Sequence, residues 1–368
     1  MKMTNKHIEP DLGDIVSKTL GELSPEELEE KTQVWQYLQQ LAKRHKFSAR
    51  AALGWLAYTE GKIPYAILKI SGSCLNAKVA RDVADLSHVI PLAVIVGGGE
   101  QITDECIRLG LPVLKDGPWR ATPKEVLDVV VEVMRRETEN FSGLVERYGG
   151  KALPLVGTPH QPLIFADKVD MLTIKGKPAD AGYFGRIPRA KEKTYLTDTL
   201  LQKILGAVGD AIPVIAALGH QWAYESPEHG YQPLNIDGDE AMRVIARRVD
   251  AEECLFVTPS GGVKTVKKGQ ESVVPVLSLQ DFEMRRNGLR IDESLELKLS
   301  AGFMILQAYS GEVGVALVPQ QKLVRYLLDR DLNKSRKHDD PLLGTPPHRR
   351  HEVYYGTTLV LSKPEPTL

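Results

Sequence analysis

Cysteine is scarce in this sequence: Cys74, Cys106 and Cys254 are the only three in 368 residues, and no two form a CxxC pair. A disulfide framework, a zinc finger and a dithiol redox motif are therefore excluded, and the thiols suit a reducing compartment. A surplus of one charge is missing as well. Lys and Arg number 47 against 48 Asp and Glu, a formal net charge of −1, so neither nucleic acid nor an anionic membrane surface is the expected partner. No apolar run approaches the roughly 20 residues of a spanning helix. The opening "MKMTNKHIEPDLGD" lacks the apolar core of a signal peptide, and the expectation is a cytoplasmic protein. Also absent are GxGxxG, GxxxxGK[ST] and GxSxG, which removes the Rossmann, P-loop and nucleophile-elbow readings. His160, His220 and His229 have no metal-ligand spacing, and no resident metal site is expected.

What is present is an alternation of short apolar runs with amphipathic ones. Residues 14–59 read as helices. Within them "SPEELEE" offers Ser24 as an N-cap, and Val34, Tyr37, Leu38 and Leu41 share one face. From residue 64, strands are expected at 65–70, 91–96, 111–114, 151–156, 212–218, 253–258 and 314–318. Helices are expected at 76–87, 100–109, 123–148, 196–208, 239–248, 280–288 and 298–311. Apolar runs too continuous to be half-exposed, separated by helices, imply a mainly parallel sheet covered on both faces. The polar, proline-bearing stretch 329–350 reads as a long surface loop.

Five stretches bring chemistry-bearing residues to strand ends. "ILKISGS" delivers Lys69 into a turn holding Ser71 and Gly72. "AVIVGGGEQITDE" places Gly97, Gly98 and Gly99 between a strand and a helix, an arrangement that suits either a tight turn or an anion held on backbone N–H groups. "DGPWRATP" sets Arg120 before a helix, where its fork suits a carboxylate. "YQPLNIDGDEAM" alternates Asn235, Asp237 and Asp239 into a helix start, as an acidic cap or a site. "FVTPSGGV" runs a strand into Thr258, Ser260, Gly261 and Gly262.

Taken in this order, the stretches resemble the amino acid kinase family over about residues 63–320 and again at "YYGTTLVL" (354–361). The nearest branch is the N-acetylglutamate kinases, together with the kinase-like domain of the corresponding synthases. The resemblance implies a three-layer αβα sandwich around a mainly parallel sheet. Its parts are an N-terminal helical extension over 1–60 and a kinase domain over 61–368, with a substrate lobe to about 240 and a nucleotide lobe over about 241–362. It implies ATP, with Mg²⁺ carried by the nucleotide, and transfer of phosphoryl to the side-chain carboxylate of an amino acid of the N-acetyl-L-glutamate type. By the same resemblance Lys69 and Lys298 contact the phosphoryl, Asp239 orients them, and Gly72 with Gly97–Gly99 hold its oxygens. Arg120, Asn235 and Asp237 face the substrate, and Thr258, Ser260, Gly261 and Gly262 face the nucleotide. A homo-oligomer is implied, a dimer or a hexamer built through the N-terminal helices. The synthases carry a further acetyltransferase domain, for which the 368 residues leave no room. Three features depart from the family pattern: Ser71 in place of a glycine, Asp237 in place of an asparagine, and no Gly-Gly-Met ahead of Lys298. They keep open a second reading, a non-catalytic module that binds arginine or another effector.

Overall fold

A computed structural model describes residues 25–45, 65–116, 119–188, 195–207, 210–221, 230–259, 261–267, 270–284, 288–309, 313–328 and 356–361. Its centre is an eight-stranded sheet. The strands are β1 (Ala66–Ile70), β2 (Leu92–Val96), β3 (Ala152–Leu155), β4 (Ile212–Ala216), β5 (Glu253–Thr258), β6 (Val276–Ser278), β7 (Gly314–Pro319) and β8 (Thr357–Val360). Their spatial order is β6-β8-β7-β5-β1-β2-β4-β3. From β7 to β3 every pairing is parallel; β8 opposes β7 and runs with β6. Every residue of β1, β2, β4 and β5 is buried, as a parallel sheet with both faces covered demands.

The covering helices are α1 (Pro25–His45), α2 (Ala77–Ser87), α3 (Gly99–Arg108), α4 (Lys124–Arg147), α5 (Asp198–Gly206), α6 (Gly238–Arg248), α7 (Leu279–Glu283), α8 (Glu293–Ala308) and α9 (Leu323–Leu328). Helix α4 packs on α2, α3, β3 and β4, while α6 and α8 pack together, α6 over β1 and β2 and α8 over β7 and β8. The helices start where local chemistry allows. Asn76 caps α2 by accepting from the amides of Lys78 and Val79, Thr197 caps α5, and Asp237 caps α6. A second sheet orders strands Pro233–Asn235, Leu218–Gln221, Ile164–Lys168 and Gly185–Arg186. Further antiparallel pairs form at 115–120, 171–180 and 264–273.

Several boundaries differ from the sequence reading. Residues 111–114 form no ladder: Leu111 and Val113 pack on the core from extended coil, and pairing starts only at Lys115. The run 212–218 is broken at Ala217, sending β4 into the central sheet and Leu218–Gln221 into the second. Helix α7 stops at Glu283, short of 288. Helix α8 starts at Glu293 rather than 298, because the Asp292 side chain accepts from the Leu295 amide at 2.8 Å. The hairpin 264–273 was not foreseen. The loop expected at 329–350 and the helix expected up to residue 59 lie outside the described residues, as does Ser24.

Helix α1 opens with Pro25 at its first position, where the missing N–H costs nothing. Leu38 and Leu41 are fully buried in the chain's own core. Tyr37 donates to Asp85 Oδ1 at 3.1 Å, Arg44 pairs with Oδ2, and His45 Nε2 lies 3.4 Å from Oδ2. Burial works against the Asp85 charge, yet His45 and Arg44 hold its carboxyl below the usual range. Truncating Leu41 to Ala is expected to cost about 2–5 kcal/mol, seen as a lower Tm that does not depend on protein concentration. Gln39→Ala, on the exposed face, is expected to leave Tm nearly unchanged.

Candidate active site

The chain leaves β1 toward β2 on one side, and β5 later joins β1 on the other. Loops diverge at such a switch point, leaving a crevice at the carboxyl ends of the strands. Lys69, one residue before the end of β1, sits in register with Phe256 of β5 and Ile95 of β2. Helix α3 starts just after β2, and α6, which follows Pro233–Asn235 of the second sheet, brings Asp239 against Lys69, so two helix N-termini reach this edge.

The charged centre is a carboxylate held between two ammonium groups. Asp239, in the first turn of α6, lies 2.7 Å from Lys69 Nζ through Oδ1 and 3.3 Å from Lys298 Nζ through Oδ2. Lys298 comes from the second turn of α8, where its ammonium also donates to Ser294 Oγ at 3.1 Å and Ser294 O at 3.3 Å. Burial opposes the Asp239 charge, but Lys69 and then Lys298 outweigh it and hold the carboxyl below the ordinary range. Burial likewise works against the Lys69 ammonium, and Asp239 followed by Asp237 keeps it charged. The Lys69–Asp239–Lys298 grouping expected by resemblance is therefore assembled. Asp237 lies close enough for its carboxyl to act on Lys69 as well, so the two ammonium groups face two acidic side chains.

The glycines divide by role. The Gly97 amide is donated to Ile70 O at 2.9 Å, so it is not a free donor, contrary to its expected part in the cradle. Its missing Cβ instead leaves room for Ile70 O, 3.0 Å away, and Lys69 Cε, 3.5 Å away. A Cβ on Gly98 would stand 2.6 Å from Met134 Sδ, and one on Gly72 would stand 2.3 Å from Gln101 Oε1. A Cβ on Gly99 would meet nothing within 4 Å. Among the described residues, the amides of Gly72, Gly98 and Gly99 donate to no backbone carbonyl, and the last two lie at the positive end of α3. Gln101, which sequence reading passed over, donates from Nε2 to Gly72 O at 2.9 Å and ties the two turns together. Ser71 has φ −64°, an extended conformation open to any residue, so its departure from glycine strains nothing.

Arg120, expected by resemblance to face the substrate, is 4% exposed. Its Nη2 donates to Gly99 O at 3.0 Å and Thr103 Oγ1 at 2.6 Å, and its Nη1 is buried with no partner. Asn235 donates from Nδ2 to Thr122 Oγ1 at 3.0 Å, and Thr122 donates to Arg120 O at 2.9 Å. Asn235 thus secures the Arg120 arm. Thr258 ends β5, and its Oγ1 accepts from the Gly261 amide at 2.9 Å. Gly261 and Gly262 have φ of +52° and +108° and are buried against Pro319 and Thr357. They are glycines because the turn demands left-handed backbone with no Cβ. Ser260 lies outside the described residues.

Asp237 plays the structural part that alternation left open: its Oδ1 accepts from the Asp239 amide at 2.6 Å and caps α6. Burial and then the Asp239 charge push its carboxyl up, with Lys69 and Lys298 opposing. A raised carboxyl contributes stability that is whole below its unfolded value and is lost as pH rises. Asparagine caps as well as aspartate. Asp237→Asn is therefore expected to raise Tm at about pH 8, with the gain fading toward about pH 4 in a pH series of thermal melts.

The amino acid kinase family model matches residues 64–315, more than half of the chain. Acetylglutamate kinase of Corynebacterium glutamicum (strain R) is 28% identical over 285 residues, covering 75% of this chain and 82% of the relative. Acetylglutamate kinase of Petrotoga mobilis is 27% identical over 265 residues, covering 70% and 80%. Among solved structures, N-acetylglutamate synthase from Neisseria gonorrhoeae, complexed with coenzyme A and N-acetyl-glutamate, aligns with TM-score 0.60 at 16% identity over 85% of this chain. The chain spans 63% of that synthase's length. Carbamate kinase from Giardia lamblia, bound to AMP-PNP, aligns with TM-score 0.52 at 10% identity over 82% of this chain and 99% of that one. At such identities the structural likeness speaks for the fold. A doubly covered parallel sheet, two lysines on one carboxylate at its carboxyl edge, and the family match across that whole region lead to one conclusion: the chain belongs to the amino acid kinase family.

Proposed function

We propose that this protein transfers the γ-phosphoryl group of ATP to the side-chain carboxylate of N-acetyl-L-glutamate or a closely related amino acid, giving an acyl phosphate. The observation that carries the reading is Asp239 bridging Lys69 and Lys298 beside the glycine turns. Phosphoryl transfer asks little covalent work of a protein and much positioning and charge neutralisation. In the proposed reaction a carboxylate oxygen attacks the γ-phosphorus and forms the new O–P bond. The bond between that phosphorus and the bridging oxygen breaks, and its electron pair leaves with ADP. The carboxylate is already ionised, so no general base is required. Lys69 and Lys298 neutralise charge on the equatorial and leaving oxygens, Asp239 holds both ammonium groups in place, and the amides of Gly72, Gly98 and Gly99 supply further donors. Among the described residues no three His, Cys, Asp or Glu side chains cluster to hold a metal. In this reading Mg²⁺ arrives with the nucleotide phosphates.

The second reading, an effector-binding module without turnover, is favoured by the Gly97 amide being committed to Ile70 and by an acid at position 237. ADP release measured with N-acetyl-L-glutamate, glutamate and aspartate separates the two. Turnover with at least one acceptor is expected. Lys69→Ala and Asp239→Asn are each expected to lower kcat by about 100-fold or more. A well-folded wild-type protein that releases no ADP with any of the three acceptors overturns the kinase reading. Asp239→Asn is also expected to lower Tm, because it strands two poorly hydrated ammonium groups, a loss of about 3–5 kcal/mol for a broken buried pair.

A further inference from the structure

The hairpin Lys115–Arg120 carries a second cation that the proposed reaction has not used. Lys115 is the direct cross-strand partner of Arg120, and side chains in that relation leave the same face of the ribbon. Arg120 is pinned on the first turn of α3 by its bonds to Gly99 O and Thr103 Oγ1, with Nη1 buried and unpartnered. Among the described residues neither Lys115 nor Arg120 forms an ion pair with a carboxylate. Burial, then Arg120, and more weakly Lys298 press the Lys115 ammonium below the ordinary lysine range, with only Glu100 opposing. Like charges directly opposite on a ribbon destabilise it. A hairpin that retains such a pair, with Nη1 of its arginine buried and unpartnered, is suited to receive an anion between the two cations.

We infer that Lys115 is a substrate-positioning residue that shares with Arg120 the carboxylate of the acceptor that is not phosphorylated. The inference rests on the kinase reading and extends it to the acceptor's second anionic group. The lysines at Asp239 face the phosphoryl, and the hairpin pair faces the far end of the acceptor. A dicarboxylate is thereby held at both ends, and a monocarboxylate loses one of them.

The test is the effect of Lys115→Gln and Lys115→Arg on KM for N-acetyl-L-glutamate, KM for ATP, and kcat, with calorimetric titration of the acceptor into each protein. Lys115 is half-buried on its strand, so all three proteins are expected to fold, with Lys115→Gln melting at or slightly above wild type because it relieves the like-charge pair with Arg120. A charge-assisted hydrogen bond of about 1.5–3 kcal/mol corresponds to a loss of about 10- to 150-fold. Lys115→Gln is expected to raise the acceptor KM by that factor while ATP KM and kcat stay within about threefold, and Lys115→Arg is expected to recover most of the loss. An acceptor KM within twofold of wild type for Lys115→Gln, or an equal rise in ATP KM, overturns the inference. A wild-type protein without turnover sinks the kinase reading separately. Calorimetry then decides for Lys115 alone: weaker acceptor binding in Lys115→Gln supports it, and equal affinity overturns it.

Discussion

One buried carboxylate organises this protein's functional edge. Asp239 lies between Lys69 from the central strand and Lys298 from a helix late in the chain, at 2.7 and 3.3 Å. Burial works against the charge on Lys69, which Asp239 offsets, and against the charge on Asp239, which Lys69 and then Lys298 offset. Removing one member of such a group leaves an uncompensated buried charge, so α6, α8 and β1 are tied together by electrostatics as well as by packing. Fixed cations in a site shielded from water attract and neutralise phosphoryl oxygens far more strongly than solvated ones do.

Around this centre the backbone follows a division between scaffold and chemistry. The three glycines after β2 look alike in sequence, yet each serves a different neighbour. Gly97 leaves room for the Ile70 carbonyl and donates its own amide to it, Gly98 makes room for Met134 on α4, and Gly99 faces open space at the start of α3. Gly261 and Gly262 are required by a left-handed turn packed under Pro319 and Thr357. Glycine in a strand-end loop thus marks close approach, and only the neighbours tell whether a ligand or the protein itself approaches.

The substrate side is held differently. Arg120 sits on a short hairpin and is joined to the second sheet through Thr122 and Asn235, by bonds of 2.9 and 3.0 Å. This chain of polar contacts spans 119–122 and 233–235, segments remote in sequence that carry the two residues expected to touch the amino acid. The hairpin reaches the phosphoryl side as well, because the Arg120 fork bonds to Gly99 O. The 119–122 segment, the start of α3 and the second sheet therefore share one polar frame.

Much of this was legible in the sequence because the signals are local. Continuous apolar runs alternating with amphipathic ones set a parallel, doubly covered sheet, since strands buried on both faces carry few polar residues. Strand-end motifs, read through the family resemblance, marked Lys69, the glycines, Arg120, Asn235 and Asp239. What escaped was set by partners far along the chain. Periodicity put Leu38 and Leu41 on one face of α1 but not the surface that face packs on, and the commitment of the Gly97 amide to Ile70, the capping of α8 five residues early and the bond from Gln101 to Gly72 leave no periodic trace. Lys115 gained its place only when the hairpin set it opposite Arg120. Pattern along the chain records which residues must leave water. Which charge meets which, and at what distance, is decided only when the fold brings separate segments together.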